Sequence, residues 1–167
     1  MLLNRRINIE PKKGERMNLN EEPEIVHWPE THYVYIEKTG PFMNVAPQAW
    51  GEVHSNVPAI EEKNQITKYF SLYKMGPDIY RAGVAIAAPP VDLPDGLQYE
   101  KLPGGKYSCF VLTGPFSDLP QASGRAWQLA GEKKIPLRDD FAIEYYVKDP
   151  RVTPEAELVT EILIATA

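Results

Sequence analysis

The tetrapeptide Thr-Gly-Pro-Phe occurs twice, at Thr39–Phe42 and at Thr113–Phe116, a separation of 74 residues in a chain of 167. Each copy closes an alternating apolar run, Tyr33-Val34-Tyr35-Ile36 before the first and Tyr107-Ser108-Cys109-Phe110-Val111 before the second. Each is followed by a residue able to cap a helix, Asn44 in one half and Asp118 in the other. Gly-Pro ends a strand because it supplies unusual backbone freedom and then removes an amide donor. A repeat of this kind predicts two copies of a strand–turn–helix unit related by a pseudo-two-fold axis. Function is then expected where the copies differ.

Extending the register outward gives the order β-α-β-β twice. In the first half, Glu24–Val26 and His32–Lys38 read as strand, Asn44 opens a helix through Val45, Ala49 and Val53, and 66–75 and 80–88 read as strands. Asn56-Val57-Pro58 is expected to interrupt that helix, with Pro58 opening a short second one. The second half carries strands at 97–102, 106–112, 141–147 and 158–165, and a helix with Leu119, Ala122, Ala126 and Leu129 on one face. The prediction is an α+β fold of tandem duplicated β-α-β-β units, forming two antiparallel sheets, separate or joined, with a central ligand cleft on the axis. Residues 1–22 read as a flexible extension, with Met17 an alternative start. Residues 23–167 form a single domain whose halves span about 23–90 and 97–167, linked by a proline-rich connector.

Charge and composition exclude several function classes. A net charge of −5 argues against an electrostatic nucleic-acid footprint, and no helix-turn-helix precedes the repeat. No apolar run reaches the ~20 residues of a membrane helix, and no secretory leader opens the chain. The lone Cys109 fits a reducing, cytoplasmic compartment. His27, His32 and His54 are scattered, so neither a metal site nor a cofactor is expected.

Two acids break the match between halves. Glu144 stands two residues before Tyr146, where Ser71 stands two before Tyr73; Glu161 stands three before Ile164, where Gly83 stands three before Ile86. Strands disfavour Glu, and a half-buried carboxylate is costly without compensation. Because strand residues alternate faces, either acid could instead point to water. The functional alternative is an acidic pocket walled by rings, with Trp50 and Trp127 on the two helices and Tyr73 and Tyr146 on strands. Such a pocket suits flat, lipophilic and often cationic molecules. The candidate ligand-binding set is Glu144, Tyr146, Glu161, Trp50, Trp127 and Tyr73.

The second half resembles the GyrI-like small-molecule-binding domain, the effector-binding domain of bacterial transcription activators. The matching segments are Leu102-Pro103-Gly104-Gly105-Lys106-Tyr107, Thr113–Phe116, Leu119-Pro120-Gln121-Ala122, Ile143–Arg151 and Leu158–Ile164. The resemblance implies a tandem β-α-β-β domain with a cleft between halves. It maps a pocket acid onto Glu144 with Tyr146, and a last-strand acid onto Glu161. It also implies a small lipophilic ligand, sensing or sequestration of drug-like molecules, and a separate regulatory protein as a further partner. The chain departs from the pattern at Met75-Gly76-Pro77, where an acidic turn is common.

The leading expectation is a stand-alone binding module rather than an enzyme. The alternatives are a hydrolase of cyclopropane-type electrophiles using Glu144 and Glu161, and a gyrase-inhibitor type of interaction protein. A haem-binding reading, carried over from distant relatives, is weaker because no histidine lies in a pocket motif.

Overall fold

In the computed structural model, which describes residues 17–167, the alternating runs of both halves are strands of one antiparallel sheet. In chain order the elements are β1 (Asn18–Leu19), β2 (Glu24–Trp28), β3 (Thr31–Thr39), α1 (Phe42–Glu61), β4 (Ile66–Lys74), β5 (Ile79–Ile86), β6 (Gln98–Leu102), β7 (Gly105–Thr113), α2 (Leu119–Glu132), β8 (Ala142–Tyr146) and β9 (Val159–Ala165). Thus β3-α1-β4-β5 is followed by β7-α2-β8-β9 in the same order. The sheet runs β1-β7-β9-β8-β4-β5-β3-β6, with β2 also paired to β7. Of the two expected arrangements, separate or joined, the joined one is found: β4 and β8 hydrogen-bond to each other and unite the halves in a single sheet.

Period-two alternation assigns each strand residue to a face. Val34, Ile36, Tyr73, Tyr80, Ala82 and Val84 pack under α1. Phe110, Leu112, Ile162 and Ile164 pack under α2. Tyr33, Tyr35, Phe70, Leu72, Tyr107, Cys109, Ile143 and Leu163 occupy the opposite face. That second face closes on itself: Trp28, from β2 at one end of the sheet, sits edge-on to Phe70 at 5.3 Å and to Tyr145 at 5.6 Å in the central strands. Burial of both faces gives a core that no single amphipathic layer would supply.

Helix α1 runs unbroken through Pro47 and Pro58, so the expected interruption does not occur. Val45, Ala49, Val53 and Ile60 form one buried stripe against the sheet. That apolar stripe continues past Pro58 and holds the helix in register despite the missing donor. The helix also begins before Asn44: Pro41 holds the cap position and Phe42 is the first helical residue. Asp118 does occupy the cap position of α2, although its side chain makes no capping hydrogen bond.

The expected flexible extension divides at residue 17. Residues 1–16 lie outside those described. From Met17 onward the chain belongs to the fold: β1 pairs with Thr113 and Leu112, and Glu21 and Glu22 form ion pairs with Arg125 and Lys133 of α2. The apolar side chains of Met17 and Leu19 join the cluster under α2.

Candidate functional site

Helices α1 and α2 rest on the same face of the sheet, above different halves of it, and a cleft of about 1440 Å³ opens between them. The two Thr-Gly-Pro-Phe segments shape its walls. Gly40 and Gly114 have φ of +139° and +142°, a region that side chains disfavour. The turn they permit brings the following phenylalanines to the cleft. Phe42 meets Tyr73 edge-on at 5.5 Å, and Phe116 meets Tyr146 edge-on at 5.6 Å. In the sequence the tetrapeptides read as turns; the recurrence of Phe at the same place is the signal for these two wall residues.

Ser71 of β4 and Glu144 of β8 are direct cross-strand partners in the floor of the cleft. Trp50 of α1 donates its indole N–H to the Tyr80 hydroxyl at 2.9 Å and to Ser71 Oγ at 3.1 Å. Ser71 Oγ lies 2.7 Å from the Tyr80 hydroxyl and 2.8 Å from the Tyr146 hydroxyl. The Tyr146 hydroxyl donates to Glu144 Oε1 at 3.2 Å. On the other wall, Trp127 of α2 donates to the Tyr73 hydroxyl at 3.1 Å, and Ser123 stands 3.3 Å from the same oxygen.

Glu144 is half-buried in the floor of the cleft. Burial pushes its carboxyl up to about 7 from an ordinary 4.5, against the Tyr146 hydrogen bond that lowers it. Among the described residues it has no ion-pair partner, and Tyr146 is its hydrogen-bonding side chain. Burial also pushes Tyr73 up to about 12 and raises Tyr80 and Tyr146, so these hydroxyls stay protonated donors. The result is a carboxylate held among neutral rings.

The far end of the cleft is more polar. His54 stacks on Tyr69 at 6.1 Å and lies 5.4 Å from Trp50. Glu61, Asp149 and Arg151 line that end, with Arg151 and Asp149 paired to each other at 2.9 Å. Exposed Met43, Met75 and Val147 form an apolar rim.

Five of the six expected residues, Glu144, Tyr146, Trp50, Trp127 and Tyr73, line this one cleft. Glu161 does not. It pairs with Val111 and Tyr145 and shares their face, the one opposite the helices. There it lies half-buried beside Cys109, with burial raising its carboxyl. The matching of Glu161 to Gly83 is also corrected. Gly83 pairs with Tyr35 and Phe70, as Leu163 pairs with Cys109 and Ile143. By sheet position Glu161 therefore corresponds to Arg81, which pairs with Glu37 and Leu72. Counting back from the strand end missed this by two residues and so kept the right face.

This sheet, with two helices flanking an aromatic cleft, is matched over residues 21–166 by the profile of a family described as the GyrI-like small molecule binding domain. The chain belongs to that family. Among solved structures, the GyrI-like fold of this chain is similar to the EcmrR C-terminal domain, with a TM-score of 0.72 at 15% identity, covering 91% of this chain and 98% of that one. It is similar to SAV2435 bound to tetraphenylphosphonium, with a TM-score of 0.65 at 13% identity, covering 87% and 94%. A protein described as a hydrolase from Listeria innocua has a TM-score of 0.55 at 12% identity, covering 93% and 98%. No curated protein sequence matches the chain. As a GyrI-like domain it is a small-molecule-binding module, and among the described residues no helix is long and apolar enough to cross a membrane.

Proposed function

We propose that this GyrI-like domain binds lipophilic, aromatic monocations and acts in their sensing or sequestration. The observation that carries this is the Glu144 carboxylate, set in the aromatic floor of the cleft without a cationic partner among the described residues. A desolvated carboxylate gains most from a ligand whose charge is itself poorly hydrated and spread over rings, since little hydration is lost on entry. Trp50, Trp127, Phe42 and Phe116 offer faces and edges to such rings. The tetraphenylphosphonium bound by SAV2435 has this chemistry. The test is titration with tetraphenylphosphonium and with neutral triphenylphosphine oxide, followed by Trp fluorescence. The expected result is preference for the cation, lost in Glu144→Gln. Equal binding of both compounds by the wild-type protein would overturn the proposal.

A second reading is hydrolysis of strained electrophilic rings. It now rests on Glu144 alone, because Glu161 lies on the other face of the sheet. A carboxyl raised to about 7 is suited to giving or taking a proton near neutrality. Turnover of a cyclopropane-bearing electrophile, abolished in Glu144→Gln, supports this reading; unchanged substrate after prolonged incubation removes it.

A further inference from the structure

The hydrogen bonds in the cleft floor form a chain with a direction. At one end, the Trp50 indole N–H can only donate. It is shared between the Tyr80 hydroxyl at 2.9 Å and Ser71 Oγ at 3.1 Å. At the other end, an ionised Glu144 can only accept. Between them stand three hydroxyls, Tyr80, Ser71 and Tyr146, spaced 2.7 Å and 2.8 Å apart, with Tyr146 3.2 Å from Glu144 Oε1.

Each hydroxyl has one proton to give, so the two ends set the direction of the middle. Tyr80 donates to Ser71, Ser71 donates to Tyr146, and Tyr146 donates to Glu144. The reverse arrangement has Tyr146 donating to Ser71 and Ser71 to Tyr80. It leaves the Tyr80 proton facing the Trp50 N–H, with no acceptor among the described residues. A buried hydroxyl without an acceptor is disfavoured. Successive donors aligned in one sense also polarise one another.

We propose that Ser71 is a positioning residue that aligns this chain toward Glu144 Oε1, strengthens the hydrogen bond holding the carboxylate, and so makes the cleft selective for cations over neutral aryl molecules. Ser71 is fully buried in β4 and lies opposite Glu144 in the β4–β8 ladder. Its contribution to the ligand passes through Tyr146 and Glu144. The inference rests on Glu144 as the cation anchor.

Other ionisable groups near the carboxylate act in parallel and set the background. Tyr73 on β4, Tyr80 on β5 and Tyr146 on β8 surround it. From α1, His54 and Glu61 line the same cleft, as do Lys68 and Tyr69 of β4, Tyr145 of β8, and Lys148, Asp149 and Arg151 after β8, while α2 lines it with neutral residues. Removing Ser71 changes none of these charges.

The experiment uses the full chain, with tetraphenylphosphonium as the cation and triphenylphosphine oxide as the neutral control. In Ser71→Ala, affinity for the cation is expected to fall about fivefold, the effect of one ordinary net hydrogen bond, with affinity for the neutral control unchanged. Infrared titration of the Glu144 carboxyl band, identified by its loss in Glu144→Gln, is expected to move to higher pH in the same variant. Tyr80→Phe, which keeps the ring and removes one link, is expected to change both readouts in the same direction by less. It serves as the test should Ser71→Ala fail to fold. An equal loss for both probes, or a carboxyl titration identical to wild type, overturns the role of Ser71. Equal binding of both probes by the wild-type protein would instead overturn the anchor reading itself.

Discussion

Ser71 and Glu144 face each other across the β4–β8 ladder, so the residue that breaks the match between the two halves lies directly against its own counterpart. One side of this rung is a small hydroxyl and the other a carboxylate. The aromatic surroundings are nearly alike on both sides: Phe42 against Tyr73 on one, Phe116 against Tyr146 on the other. The charge is therefore the distinguishing feature of the floor. It lies between two ring clusters rather than inside one.

Replacing Glu144 should alter stability as well as binding. Its carboxyl is raised to about 7 in the folded chain from 4.5. The folded state thus keeps a proton that the unfolded chain releases, and stability falls as pH rises between about 4.5 and 7. Glu144→Gln removes that loss. Thermal unfolding should show the variant more stable than wild type at pH 8, by on the order of 2 kcal/mol, and equal to it at pH 4. Identical curves at pH 8 would mean the carboxylate is not desolvated.

The opposite result is expected for the acid on the other face. Glu161→Gln should leave affinity for tetraphenylphosphonium unchanged, because Glu161 shares the face of Tyr145 and lies outside the cleft. A tenfold loss in the same titration would show that the two faces communicate.

Trp127 closes the α2 wall by donating to the Tyr73 hydroxyl at 3.1 Å. Trp127→Phe should cost about 1 kcal/mol of stability for that bond. It should also remove part of the ligand-induced fluorescence change, the remainder coming from Trp50. Denaturant unfolding and fluorescence titration of the single variant measure the two effects separately.

Gly83 tests the core beneath the site. A Cβ there would stand 2.5 Å from the Val34 carbonyl oxygen and 2.7 Å from the Tyr33 ring. Tyr33 is fully buried, stacked on Phe70 at 4.4 Å, and cannot move aside. Gly83→Ala should therefore destabilise the protein by about 3 kcal/mol, seen as a lowered midpoint in denaturant. A midpoint within error of wild type would show that the strands can separate locally.

Much of this molecule was legible in its residues. The doubled Thr-Gly-Pro-Phe and the alternating runs located the main strands and both helices, because backbone breaks and period-two burial are local properties. Glu144 stood out by comparison within the chain: its counterpart in the other half is the small Ser71, and strands disfavour Glu. The continuity of α1 through Pro58 was not legible, since a stripe packed against the sheet outweighs a local breaker. Nor was the membership of Asn18–Leu19 in the sheet, which depends on an edge offered by β7 far along the chain.

The sequence by itself determined the class of elements, their order, and the presence of acids in strands where the other half carries small residues. Only the tertiary structure decided which acid the cleft receives. Glu144 and Glu161 are alike as entries in a strand pattern, but β8 and β9 pair with Tyr145 opposite Glu161. That register places the two carboxylates on opposite faces of one sheet. Register is a relation between strands, set by packing on both faces at once, and a single strand's sequence does not contain it.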